Sequence, residues 1–131
     1  NDVVIALPVF AGSHLVAWAA SIAHWNDVGG KTPGSMAVDV SEIFQEGLRL
    51  PPVKLFKKGV LDTEIYQIIC SNIRVSEQRI GDVKAQASAL LGGAERLAGL
   101  MDRYGDATVT EAITRMRDLA ATQMRAMVGL M

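Results

Sequence analysis

In the stretch His24-Trp25-Asn26-Asp27-Val28-Gly29-Gly30, an imidazole and a carboxylate stand three residues apart where an apolar run gives way to glycine. An imidazole nitrogen and a carboxylate oxygen suit Zn2+ or Mn2+, so His24 and Asp27 read as half of a metal site. The plainer reading puts His24 at a strand end and lets Asp27 accept the backbone N–H groups of the Gly29-Gly30 turn, as aspartate often does ahead of glycine. Asp2 becomes a third ligand if a hairpin sets the first strand beside the end of the second. His14, in the turn of that hairpin, is expected to be exposed.

Downstream, Gly29, Gly30, Gly34 and Ser35 are able to present backbone N–H groups to an anion, although their spacing is neither a P-loop nor a dinucleotide fingerprint. Glu42 and Glu46 are spaced i, i+4; on a helix they share a face, and in a cleft their repulsion would suit one of them to proton transfer. Cys70 lies beside Ile68 and Ile69 and reads as a small core residue, not a nucleophile. The methionines at 116, 124, 127 and 131 read as packing surface.

The elements that must position these groups point to an α+β fold: an N-terminal β-hairpin and loop region, a short helix, and a C-terminal antiparallel helical hairpin, as part of a larger domain. Val3–Leu7 and Leu15–Ile22 are apolar runs separated by Pro8 and the turn-prone Ala11–His14 segment, the pattern of two paired strands, weakened by alanines at 17, 19, 20 and 23. Gly29-Gly30 and Pro33-Gly34 then enforce a loop. Asp39 with Glu42 resembles a capping box, which predicts a short helix over "SEIFQEGL" closed by Gly47. Asp62 is a fitting N-cap for a helix through "EIYQIICSNI".

After Ser76, the positions Ile80, Val83, Ala87, Leu90, Ala94, Leu97 and Met101 form one helical stripe. Gly92-Gly93 lies inside it at a cost of about 2 kcal/mol relative to two alanines, so close packing or a bend is expected there. Thr108 with Glu111 predicts a capping box opening a last helix, whose apolar face is Val109, Ala112, Met116, Leu119, Ala126 and Leu130. The two helices, joined by so short a turn, are expected to pack antiparallel. The chain is counted as one unit, 1–131, with strands, loops and the candidate site in 1–60 and helices in 61–131.

A formal net charge of -1, with 21% charged residues, gives no basic field for nucleic acid. A single cysteine permits no intrachain disulfide and favours the cytosol. No apolar run approaches the roughly 20 residues needed to cross a bilayer, so no membrane partner is expected. Asn1-Asp2 runs straight into apolar pattern and the far end lacks a stop signal, so both ends are read as cut.

Taken in order and spacing, "AHWNDVGGKTPGSM", "EIFQEGLRLPPVKL" and "RIGDVKAQASA" resemble the hydantoinase B/5-oxoprolinase family. Its pattern runs His-x-x-Asp-x-Gly-Gly, Pro-Gly-Ser, Ile-x-Gln-Glu-Gly, Pro-Pro-Val-Lys-Leu and Gly-Asp-x-x-Ala-Gln, and the resemblance extends from Asn1-Asp2-Val3 to about the last helix. Members are several times longer, which implies an internal piece of the N-terminal part of such a subunit. The resemblance further implies metal ligation by His24 and Asp27, with Asp2 at an acidic position of the family and a further histidine just ahead of Asn1.

By the same resemblance, the expected activity is hydrolytic opening of a cyclic amide such as a hydantoin or 5-oxoproline, with ATP handled by a hydantoinase A-type partner subunit in a hetero-oligomer. Glu46 is the expected proton-transfer group, and Gly29, Gly30, Gly34 and Ser35 bound the pocket. Two alternatives stand beside it: ATP-dependent carboxylation of a ketone, and a catalytically silent assembly module that docks through its C-terminal helices.

Overall fold

The computed structural model describes residues 2–130. Its elements run β1 (Asp2–Ala11), β2 (His14–His24), β3 (Phe56–Lys57), β4 (Val60–Leu61), α1 (Thr63–Asn72), α2 (Ser76–Tyr104) and α3 (Asp106–Val128), with 3-10 turns at Pro33–Ser35 and Ile43–Gln45. The fold is α+β, with β1 paired to β2 and β3 to β4 in separate two-stranded sheets. No helix among the described residues is long and apolar enough to cross a membrane.

Both long strands outrun their sequence limits. β1 continues through Pro8, because each strand of a two-stranded sheet has a free edge where a missing N–H is tolerated. Gly12 turns the chain in the left-handed region, φ 58°, and β2 keeps its extended form despite its alanines. The expected helix over "SEIFQEGL" shrinks to a single 3-10 turn. Gln45 Oε1 accepts the N–H groups of Ser41 and Glu42, Asp39 pairs with Lys31 instead of capping, and Gly47 leaves the turn at φ 132°. Glu42 and Glu46 therefore share no helical face.

Asp62 does cap α1, accepting from the Glu64 and Ile65 amides at 3.1 Å each. The α2 stripe is buried or half-buried at every expected position. Gly92 and Gly93 stay within one unbroken helix, and a Cβ at either would meet nothing within 4 Å, so close packing does not offset their cost. α3 opens at Asp106 behind Gly105, which moves Thr108 into the helix and leaves Glu111 to pair with Arg115.

The described chain forms two compact units, divided otherwise than at residue 60: one joins the residues up to Ile5 with Ala20–Ala89, the other joins Ala6–Ala19 with the residues from Leu90 onward. The reason is length, since the hairpin and α2 each contribute to both. The first unit packs Trp25, Ile69, Ile73 and Val83 into a core, flanked by Val3, Val28, Leu48, Leu55 and Tyr66. In the second, burial is confined to Val9, Leu90, Met101 and Val109. Of the apolar face expected on α3, only Val109 is buried, while Met116, Leu119 and Leu130 are exposed.

Candidate functional site

The metal, proton-transfer and loop residues expected from the sequence all lie in the first unit, where the Asp27 side chain accepts four hydrogen bonds. The carboxylate is buried, 5% exposed for the residue. Oδ1 accepts the Gly29 amide at 2.7 Å and the Arg74 amide at 3.3 Å; Oδ2 accepts the Gly34 amide at 2.7 Å and Arg74 Nη1 at 3.2 Å. Burial alone would push this carboxyl up, but the amides of Gly29, Gly34 and Arg74, with the Arg74 guanidinium, outweigh it and draw the pKa from 3.8 down to about 2. Asp27 thus favours its anionic form, its two oxygens accepting four N–H groups, as the plainer sequence reading has it for the glycine turn.

The glycines around it serve backbone contact. Gly29 has φ 87° and a Cβ there would lie 2.4 Å from the Asn72 carbonyl oxygen; at Gly30 the same atom would lie 2.6 Å from the Gln45 oxygen. Two backbone bonds, Lys31 N to Gln45 O at 2.9 Å and Leu48 N to Val28 O at 2.7 Å, lash this loop to the segment carrying Glu46. Ser35 Oγ donates to the Gly29 carbonyl at 2.6 Å and accepts the Val28 amide at 2.8 Å, closing the loop on itself.

His24 has a different carboxylate partner. Its Nδ1 lies 3.1 Å from Asp2 Oδ1, the hairpin having brought the start of β1 beside the end of β2, and both side chains are exposed. His24, Ser35 and Glu46 together line an open depression of about 330 Å3 whose remaining wall is Met36, Ala37, Val38 and Val40. Three of the residues singled out from the sequence are therefore brought to one surface; Asp27 is not among its lining residues.

A divalent cation was expected on His24, Asp27 and Asp2. The exposed His24–Asp2 pair has the right donor chemistry, an aromatic nitrogen and a carboxylate oxygen. Asp27 does not fit, since its oxygens already serve N–H donors and a guanidinium stands against it. Among the described residues no group of three or more His, Cys, Asp or Glu side chains is placed to hold a metal ion. His24 and Asp2 thus bring together two side chains of ligand type.

Sequence reasoning missed Arg74 and Gln86. Arg74 reaches Asp27 from 47 residues away, and nothing local marks it. Gln86 belongs to the quoted Gly-Asp-x-x-Ala-Gln segment and sits beside the α2 stripe, a polar residue one helical turn from Val83; that placement was the available signal.

The sequence profile described as hydantoinase B/oxoprolinase matches residues 1–130. The chain belongs to the hydantoinase B/oxoprolinase family. It is 38% identical over 92% of its length to the caprolactamase beta subunit of Pseudomonas jessenii, of which it covers 21%. It is 33% identical over 95% of its length to the B-type subunit of a putative D-/L-hydantoinase from Pseudomonas sp. (strain NS671), again covering 21%. A more distant relative is the acetophenone carboxylase delta subunit of Aromatoleum aromaticum, 27% identical over 97% of this chain and 19% of that one. The chain thus spans about a fifth of the length of each of these three relatives. No solved structure matches it.

Proposed function

We propose that this hydantoinase B-family chain supplies part of the active site of a multi-subunit, ATP-dependent enzyme that hydrolytically opens a cyclic amide such as a hydantoin or 5-oxoproline. One observation carries the reading: His24, Ser35 and Glu46 line a single open depression, with Asp2 Oδ1 3.1 Å from His24 Nδ1. The names of two relatives, a caprolactamase and a hydantoinase, support a cyclic amide as substrate.

In this reading His24 and Asp2 would hold a divalent cation, Zn2+ or Mn2+, with ligands from outside the described residues, and a cation bound there would supply polarisation of a carbonyl or a lowered pKa of water. Glu46 takes a proton from the attacking water and returns it to the leaving nitrogen. Ser35 and the Gly29–Gly34 loop form the wall against which the ring lies, and Asp27 maintains that wall without touching cation or substrate. ATP is handled by an A-type partner subunit, and the assembly works in the cytosol.

The carboxylase relative favours a second reading, ATP-dependent carboxylation of a ketone at the same depression. Phosphate release by the full chain with its partner subunit separates the two. Release with a hydantoin or 5-oxoproline, and not with a ketone plus bicarbonate, supports hydrolysis; the reverse result replaces it. The exposed apolar face of α3 fits a third reading, a silent assembly module, which predicts no release with either and no metal in the chain or in His24→Ala.

A further inference from the structure

The Arg74–Asp27 ion pair braces the glycine loop beside the depression. Arg74 follows α1, its guanidinium forked over three acceptors of the glycine loop: Gly30 O at 2.9 Å, Thr32 O at 3.0 Å and Asp27 Oδ2 at 3.2 Å. Its own amide holds the other oxygen of Asp27. The loop so gripped is one a free chain rarely adopts, because Gly29, Gly30, Gly34 and Ser35 all have positive φ, 87°, 85°, 80° and 55°. For Ser35, which carries a Cβ, that conformation is held by its neighbours and not by preference.

We propose that Arg74 is the positioning residue of the site: acting through Asp27 and the carbonyls of Gly30 and Thr32, it holds Ser35 and, across the loop, Glu46 in place beside His24. Arg74 and Asp27 do not line the depression. Their effect reaches it by two routes. Gly34 and Ser35 are adjacent, so the bond from Asp27 to the Gly34 amide sets the entry of Ser35. Gly30, whose carbonyl Arg74 holds, precedes Lys31, whose amide is bonded to Gln45, the neighbour of Glu46. Only a planar fork with several fixed N–H directions serves three acceptors at once; a lysine ammonium would reach one or two.

This inference rests on the reading of the depression as the reaction site, and its test separates the two. Arg74→Lys, Arg74→Ala and the shape-conserving Asp27→Asn are made in the full chain and assembled with the partner subunit. Hydrogen exchange is followed without substrate, and kcat and KM are measured with the cyclic amide or ketone that the unmodified enzyme turns over. All three variants are expected to exchange the amides of 28–35 about tenfold or more faster, while those of Ile69 and Val83 keep their rates. kcat falls about 10- to 100-fold as the side chains lose alignment. Added guanidinium ion restores part of kcat to Arg74→Ala and none to Asp27→Asn, a pattern that general loss of stability does not produce. Unchanged loop exchange, or unchanged kcat in a variant whose loop exchange has risen, overturns the proposal. Lack of turnover by the unmodified enzyme counts against the functional reading alone, and the exchange rates still decide whether Arg74 sets the loop.

Discussion

Trp25 Nε1 donates to Gln86 Oε1 over 3.1 Å, a buried bond between residues 61 apart in the chain. The Gln86 amide nitrogen in turn donates to the carbonyls of Val3 at 3.0 Å and Ser21 at 3.3 Å. One side chain of α2 therefore serves β1 beside Asp2, β2 near His24, and the indole at the centre of the core. A buried amide with its hydrogen bonds made costs little, but removing it leaves each partner unpaired in a place water does not easily reach.

Gln86→Leu keeps the volume and strands the Trp25 N–H together with two strand carbonyls. Stability should drop by about 2–4 kcal/mol, read from urea unfolding followed by tryptophan fluorescence. A loss below about 0.5 kcal/mol would mean that water replaces the amide and that the latch is unimportant.

The glycines should separate into three behaviours. Gly29→Ala drives a Cβ to 2.4 Å from the Asn72 oxygen at φ 87°, so a loss of about 3 kcal/mol or more is expected. Gly12→Ala meets nothing within 4 Å and carries only the left-handed strain of φ 58°, about 1 kcal/mol. Gly93→Ala meets nothing and sits in a helix interior, where it should raise stability by about 1 kcal/mol and the Tm with it. A Gly93→Ala variant that melts earlier than the parent would show that the site needs its bend or its closeness to a partner.

Acid should act through Asp27. Its folded pKa, about 2, lies below the ordinary carboxylate value of 3.8, so the folded state binds its proton less tightly than the unfolded chain. The stabilisation is complete above the unfolded value and fades as pH falls from about 5 towards 2. Asp27→Asn should flatten that part of the stability profile and lower stability at neutral pH. Parallel profiles for the two proteins across this range would remove the Asp27–Arg74 pair from the account of acid sensitivity.

Metal binding should follow Asp2 and His24. Titration of the full chain with Zn2+ or Mn2+ is expected to lose affinity about tenfold or more in His24→Ala and in Asp2→Asn. Asp27→Asn, assayed at neutral pH where it stays folded, should bind the cation as the parent does. An Asp27→Asn protein that remains folded yet loses the metal would return Asp27 to the ligand set.

Much of this was legible in the residues because it depends on near neighbours. The stripe from Ile80 to Met101 repeats with the helical period, Asp62 caps the amides two and three residues on, and Gly29 and Gly34 mark where the backbone turns left-handed. The ordered motifs from His24 to Gln86 were enough to place the chain in its family. What the sequence determined alone was thus most of the elements, their order and the candidate chemistry, the helix expected over residues 41–48 having shrunk to a 3-10 turn. Which carboxylate His24 faces was a tertiary matter: three residues along the chain put Asp27 near it in sequence, but the pairing of β1 with β2 put Asp2 there in space. The roles of Arg74 and of Gln86, which had only its place beside the α2 stripe to mark it, were hidden for the same reason. Their partners lie 47 and 61 residues away, and hydrogen bonds between segments so distant exist only once the loops between them have closed.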